Sequence, residues 1–261
     1  NTKIEMEKGK IKISQIKPGM KLKSGEKITA TFKCALNNQQ MFNLNNIIVS
    51  DNHKVFHEKY GWIRVDKHPD AILIDDYREE FIYCLNTETK RINIDGTKFL
   101  DWDELEPVDI IKLKNLNYLS HNCSLSNIHK NIDSGLHKNT KIELDDGNIK
   151  SIKNIKVNDQ LKNGERVLAV VKISGNDVCS IKKYIFNDFE LIGTSNIIIN
   201  DYDLGKFSTL CKFGTYTQKE KYLYHLITDT GTFTANNIKV QDYNSAIENI
   251  IDKRDELFNV F

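Results

Sequence analysis

Apolar and polar residues alternate along this chain in short runs that turn residues repeatedly interrupt. Lys10-Ile11-Lys12-Ile13 and Lys21-Leu22-Lys23 have the two-residue period of half-buried strands, and Lys8-Gly9, Pro18-Gly19 and Ser24-Gly25 punctuate them. Lys27 to Cys34 and Phe42 to Ser50 read as longer strands, the apolar stretch of the second carrying Ser50 and His53 to a strand end. Trp62-Ile63-Arg64-Val65 follows a turn at Tyr60-Gly61, and Phe81 to Leu85 has the look of a buried strand. Asp95-Gly96 is the strongest hairpin signal in this half, because both residues tolerate the positive φ that tight hairpins demand. The pattern predicts an all-β architecture. Two stretches stand outside it: Val108 to Leu116 fits a strand or a helix, and Ser245 to Glu248 has the form of a capping box, with Ala246, Ile247, Ile250, Ile251 and Leu257 at helical spacing behind it.

The strand pattern is also written twice. Asn1 to Lys33 and Asn139 to Lys172 agree at about half of their positions, and three further blocks recur in the same order. Asn46-Ile47-Ile48-Val49-Ser50-Asp51-Asn52-His53 aligns with Asn196 to Asp203, Ile82 to Thr89 with Leu223 to Thr230, and Phe99-Leu100-Asp101-Trp102 with Val240-Gln241-Asp242-Tyr243. Two whole modules are therefore expected: residues 1–104, a connector 105–133, a second module 134–244, and a C-terminal amphipathic helix 245–261. The helix stripe packs on the preceding module or on a protein partner.

Composition narrows the function classes. In 261 residues, 37 basic and 36 acidic side chains leave a net charge of +1, which carries no footprint of a nucleic-acid binder. The 5 cysteines (Cys34, Cys84, Cys123, Cys179, Cys211) form no disulfide framework, which favours a reducing intracellular compartment. No apolar run approaches a membrane span and no signal peptide opens the chain. The sequence starts at Asn1 without an initiator methionine, as a fragment or processed product would.

The four blocks, in order and in duplicate, resemble the Hedgehog/intein superfamily of self-processing Hint domains. Thr2 and Thr140 stand at the threonine of its first block, Ser50-Asp51-Asn52-His53 is similar to its Thr-x-x-His block, and Tyr83-Cys84-Leu85 and Tyr224-His225-Leu226 are similar to its next-to-last block. The resemblance implies an all-β Hint-like fold and an acyl shift: a Cys or Ser opening the module attacks the preceding carbonyl, and the block histidine protonates the departing nitrogen. His53 would then be the proton donor, Ser50 the hydroxyl that orients the bond, Cys84 a group that polarises or intercepts the acyl group, and Thr2 a structural threonine of the site. Without the resemblance, Cys84 reads as a small buried hydrophobe. The substrate would be the upstream domain of the same chain. No cofactor and no metal is expected.

The copies differ at the positions that matter. Five residues before Thr140 stands Gly135, which has no nucleophile, and the sequence alignment puts Asp203 in place of the block histidine, so the second module is expected to be inactive. The first module's nucleophile would lie five residues before Thr2, upstream of Asn1. Asp101-Trp102 and Asp242-Tyr243 stand where splicing members carry asparagine, with Leu100 and Gln241 in place of the preceding histidine, so splicing is not expected. The reading from the other class is a noncatalytic structural or interaction module that kept the fold. His53, His57, His68 and Cys84 could form a metal site only if the 53–57 segment were helical, and its pattern is that of a strand end and a turn.

Overall fold

The computed structural model describes residues 2–115, 123–186, 189–201, 206–209 and 214–248, and the chain divides into two compact units, Asn1–Leu105 and Glu106–Phe261. Both are built from short antiparallel strands.

In the first unit, β1 (Lys3–Met6) and β2 (Gly9–Lys12) form a hairpin that sends Ile4 inward and its lysines outward. β3 (Ile28–Ala35) is the long strand. It pairs with β9 (Phe81–Thr87) from Ala35 opposite Phe81 to Ile28 opposite Thr87. Between them come two hairpins, β4 (Met41–Leu44) with β5 (Ile47–Ser50), and β6 (Lys54–His57) with β7 (Gly61–Arg64), followed by β8 (Ile72–Leu73) on β4. The single strand expected over Phe42 to Ser50 is thus folded in half. Asn45 and Asn46 take φ of 52° and 65°, a left-handed turn that asparagine tolerates better than other residues with a Cβ. β10 (Arg91–Ile94) and β11 (Thr97–Leu100) close the unit across the expected Asp95-Gly96 turn, and Phe99 of β11 sits opposite Val55 of β6. Ile4, Leu22, Ile28, Leu44, Val55 and Leu85 form the core, each at most 1 % exposed.

The second unit opens with α1 (Pro107–Asn115) and α2 (His129–Ile132) and then repeats the strand plan. β12 (Lys141–Glu143) and β13 (Ile149–Ser151) form the first hairpin, and β14 (Val167–Ser174) pairs with β20 (Tyr222–Thr228), with a register shift at its start as in β3. The hairpins between them are β15 (Ile181–Phe186) with β16 (Phe189–Thr194), and β17 (Ile198–Asp201) with β18 (Lys206–Thr209), then β19 (Thr215–Tyr216) on β15. β21 (Thr232–Ala235) and β22 (Ile238–Gln241) finish the plan, with Val240 opposite Ile199. The segment before β12 is part of this unit: Ile128 and Ile132 are buried, and the Cys179 amide donates to the Lys130 carbonyl.

Strand register corrects the sequence alignment. Met41 lies opposite Ser50 and Ile181 opposite Thr194 at the same end of equivalent hairpins, and the Val55–Phe99 pair matches Ile199–Val240. Ser50 therefore corresponds to Thr194, and His53 to Ile197. The turn agrees, since His53 N–H donates to the Ser50 carbonyl (3.4 Å) as Ile197 N–H does to that of Thr194 (3.3 Å). Asp203 lies outside the described residues; the histidine position it was expected to fill belongs to Ile197, whose side chain is in the core.

Residues 243–248 are helical. The expected cap is displaced: Asp242, not Ser245, is the N-cap, its Oδ1 accepting from the Ser245 amide at 2.8 Å and its Oδ2 from Thr228 N–H at 2.8 Å. The rest of the expected helix lies outside the described residues, as does Cys211.

Candidate functional site

His53 stands in the turn between β5 and β6 and reaches the far end of its unit. Its Nε2 is 3.1 Å from the Leu100 carbonyl oxygen, which can only accept, so Nε2 carries the proton and Nδ1 a lone pair. Nδ1 faces Glu104 Oε1 at 3.5 Å, an oxygen that also accepts the Lys54 amide at 3.0 Å. The His53 side chain keeps only 16 % of its surface. Burial pulls its pKa down to about 4, against the opposing pull of the Leu100 carbonyl. The Glu104 carboxylate would favour a second proton, but at 3.5 Å it does not outweigh the lost hydration. At neutral pH the imidazole is neutral, in one tautomer, with Phe99 tilted against it at 5.9 Å.

The other expected site residues divide into two groups. Ser50 ends β5 with its Oγ 3.4 Å from Asn52 Oδ1. Cys84, on β9, points its thiol at the Leu85 carbonyl (3.8 Å); burial, together with Cys34 and the charges of Asp101 and Glu104, holds that thiol well above its usual range. Such a thiol stays protonated, which fits a packed hydrophobe better than a nucleophile. Cys84 and His53 thus share Glu104 as a neighbour. Thr2 is elsewhere: its carbonyl accepts from Ile13 N–H at 2.9 Å, and it lines a shallow cleft with Lys10, Asn46, Ile94 and Asp95 to which His53, Ser50 and Cys84 contribute nothing.

The second unit displays the chain that enters a module. Leu136 bridges Gly193 and Tyr224, exchanging both backbone hydrogen bonds with Tyr224 (2.8 and 2.9 Å). Just before it, Gly135 N–H donates to the Thr194 hydroxyl at 3.1 Å, and the Gly135 carbonyl accepts Thr194 N–H at 2.9 Å. The Ser134–Gly135 peptide is thus gripped by the residue that corresponds to Ser50. A side chain has no room there, because a Cβ on Gly135 would come within 2.7 Å of Leu223 Cβ and 3.2 Å of Ile173 Cδ1. Ser134 is buried beside it, its hydroxyl without a hydrogen-bond partner. His225, the counterpart of Cys84, is 1 % exposed, accepts Leu226 N–H on Nδ1 at 3.0 Å, and packs its ring edge to face on Phe233 and Tyr243. Its pKa is also pulled to about 4 by burial. The sequence alignment sets Asn200 against Ser50, so Thr194 emerges as its counterpart only from the strand register.

Among the described residues no group of three or more His, Cys, Asp or Glu could hold a metal ion. His57 and His68 do meet, ring centroids 5.1 Å apart, yet each Nδ1 is taken by a backbone N–H, of Lys59 and Asp70 respectively. No helix of the described residues is long and apolar enough to cross a membrane.

No family model and no curated protein matches the chain. Among solved structures it is similar to the gp41-1 intein, at 18 % identity and a TM-score of 0.33, covering 42 % of this chain and 98 % of that one. A substituted form of the same intein gives 18 % identity and a TM-score of 0.34, covering 42 % of this chain and 99 % of that one.

Proposed function

We propose that the chain is a tandem pair of Hint-type modules and that the first cleaves the polypeptide just upstream of itself, with an upstream domain of its own chain as substrate. The observation that carries this reading is the hydrogen bond from Gly135 N–H to Thr194. It sets a β-hairpin hydroxyl against the amide where the nucleophile would stand, and by register Ser50 is the counterpart of that hydroxyl in the first unit. There the hydroxyl is followed three residues later by His53, where the second unit has Ile197.

The chemistry follows from the state of that imidazole. The attacking Cys or Ser gives up its proton as it adds to the preceding carbonyl, and His53 acts as the proton donor to the departing nitrogen. The carbon–sulfur or carbon–oxygen bond forms as the peptide carbon–nitrogen bond breaks, and the proton passes to the departing nitrogen. An imidazolium whose pKa is about 4 is a strong donor for that transfer. Water or another nucleophile then opens the thioester or ester. Leu100-Asp101 in place of the splicing residues leaves no route to ligation.

The reading of the second unit as a noncatalytic scaffold rests on Gly135 and Ile197. One position is packed too tightly for any nucleophile and the other fills the histidine's place with hydrocarbon. The test is the intact mass and N-terminal sequence of protein expressed with its native upstream residues, beside His53→Ala. A fragment beginning with Cys or Ser five residues before Thr2, absent from the variant, is expected. Full-length protein in both, even with added thiol, would leave only the scaffold reading.

A further inference from the structure

Lys90 is fully buried in the turn between β9 and β10, at a φ of 60° where the second unit has Gly231 at 72°. Its Nζ lies 2.6 Å from Asp103 Oδ2 and 3.5 Å from Asp101 Oδ2, and none of the three side chains has exposed surface. The two carboxylates are held differently. Asp101 accepts the Thr87 amide on Oδ2 (3.0 Å) and the Asp103 amide on Oδ1 (3.2 Å). Asp103 Oδ2 receives Lys90 Nζ–H and, at 3.0 Å, Asn86 Nδ2–H. An amine, a carboxyl polarised by an amide donor, and a second carboxylate within reach of the amine make up the parts of an acyl-transfer site, enclosed in a core that excludes water.

We propose that Lys90 and Asp103 condense to an intramolecular isopeptide bond in the folded protein, with Asp101 as the general base. The proton shared across the short hydrogen bond passes from Lys90 Nζ to Asp103, leaving a neutral amine and a neutral acid. Nζ attacks Asp103 Cγ and the oxyanion develops on Oδ1, while Asn86 Nδ2–H holds Oδ2, the oxygen that leaves as hydroxyl. Asp101 takes a proton from the nitrogen and returns it to the leaving hydroxyl. One carbon–nitrogen bond forms, one carbon–oxygen bond breaks and one water leaves, with no change of oxidation state. Enclosure supplies the driving force, since fixing the partners is worth effective molarities of about 10⁵ M or more, and amide formation removes a charge pair from the interior. The second unit is the internal control: Asp242 accepts the Thr228 amide as Asp101 accepts that of Thr87, but Gly231 and Asn244 stand where Lys90 and Asp103 do.

The test is the denatured intact mass of the purified chain, with a peptide map. The expected result is a mass one water below that of the sequence and a branched peptide joining Lys90 to Asp103, with the sequence mass restored in Lys90→Arg. Asp101→Asn should leave the protein at or near the sequence mass. Wild-type protein at its full sequence mass would overturn the proposal whether or not the variants fold. So would a loss of water without the branched peptide, as a cyclic imide at Asp95-Gly96 would give.

Discussion

Gly135 and Thr194 hold one another by two hydrogen bonds, amide to hydroxyl at 3.1 Å and amide to carbonyl at 2.9 Å, and so fix the peptide by which the chain enters the second unit. Thr194 is 2 % exposed, so water cannot replace the hydroxyl if it is removed. Thr194→Val should leave the Gly135 N–H unsatisfied and cost about 1–3 kcal/mol, whereas Thr194→Ser should cost little. Hydrogen exchange at the Gly135 and Leu136 amides reads this directly; unchanged protection in the valine variant would show that the hydroxyl does not hold the junction.

Restoring a nucleophile to the second unit should fail for a steric reason. Gly135→Cys places a Cβ 2.7 Å from that of Leu223, on paired strands that cannot move apart freely, and overpacking of this kind costs about 1–3 kcal/mol. Thermal unfolding should show the loss, and mass spectrometry should show no cleavage at Ser134–Gly135 even with added thiol. Cleavage there would mean that Ile197 and the packing of Gly135 do not disable the unit.

What the sequence disclosed and what it hid follow from range. Turn chemistry is local, so Asp95-Gly96 is legible as a hairpin; Asn45-Asn46 carries the same kind of information, but the apolar residues on either side give the pattern of one continuous strand. The second-copy equivalents of Ser50 and His53 were misplaced because matching Asn46-Ile47-Ile48-Val49 to Asn196-Ile197-Ile198-Ile199 scores local identity. Register is set by partners far along the chain, and β15–β16 is two residues longer in each strand than β4–β5. His53 could be named from its block, but its tautomer and low pKa come from Leu100 and the burial around it. Lys90 gave no signal at all, because a lysine in a Thr-Glu-Thr-Lys turn reads as solvated until the fold closes over it.

The cap at the start of the C-terminal helix is a case where a nearby signal misled. Ser245 and Glu248 have capping-box spacing, but the carboxylate of Asp242 reaches both the helix N3 amide and the β20 backbone, tying two elements with one side chain. Burial raises the pKa of Asp242, while the Thr228 and Ser245 amides oppose the shift. Asp242→Ala should cost about 1–2 kcal/mol, more than a solvent-exposed cap, and Ser245→Ala distinctly less. Chemical denaturation followed by far-ultraviolet circular dichroism ranks the two; the reverse order would return the cap to Ser245.

Acid should weaken both units through their buried histidines. The folded pKa of His53 is about 4, below the ~6.5 of an unfolded imidazole, so between those values the unfolded chain binds a proton that the native state refuses. The stability contributed by a neutral His53 is therefore complete above about pH 6.5 and is lost as pH falls towards 4, by at most about 3 kcal/mol. His225 adds a similar dependence in the second unit. Tryptophan emission reports on the surroundings of His53, since Trp62 and Trp102 both lie in the first unit and Trp102 stacks on Phe32 at 4.6 Å. Urea midpoints read by tryptophan emission should fall from about pH 7 to about pH 4.5 in the wild type and less in His53→Gln. A slope that survives His53→Gln would mean that the imidazole is not held neutral, and the proton donation assigned to it would lose its basis.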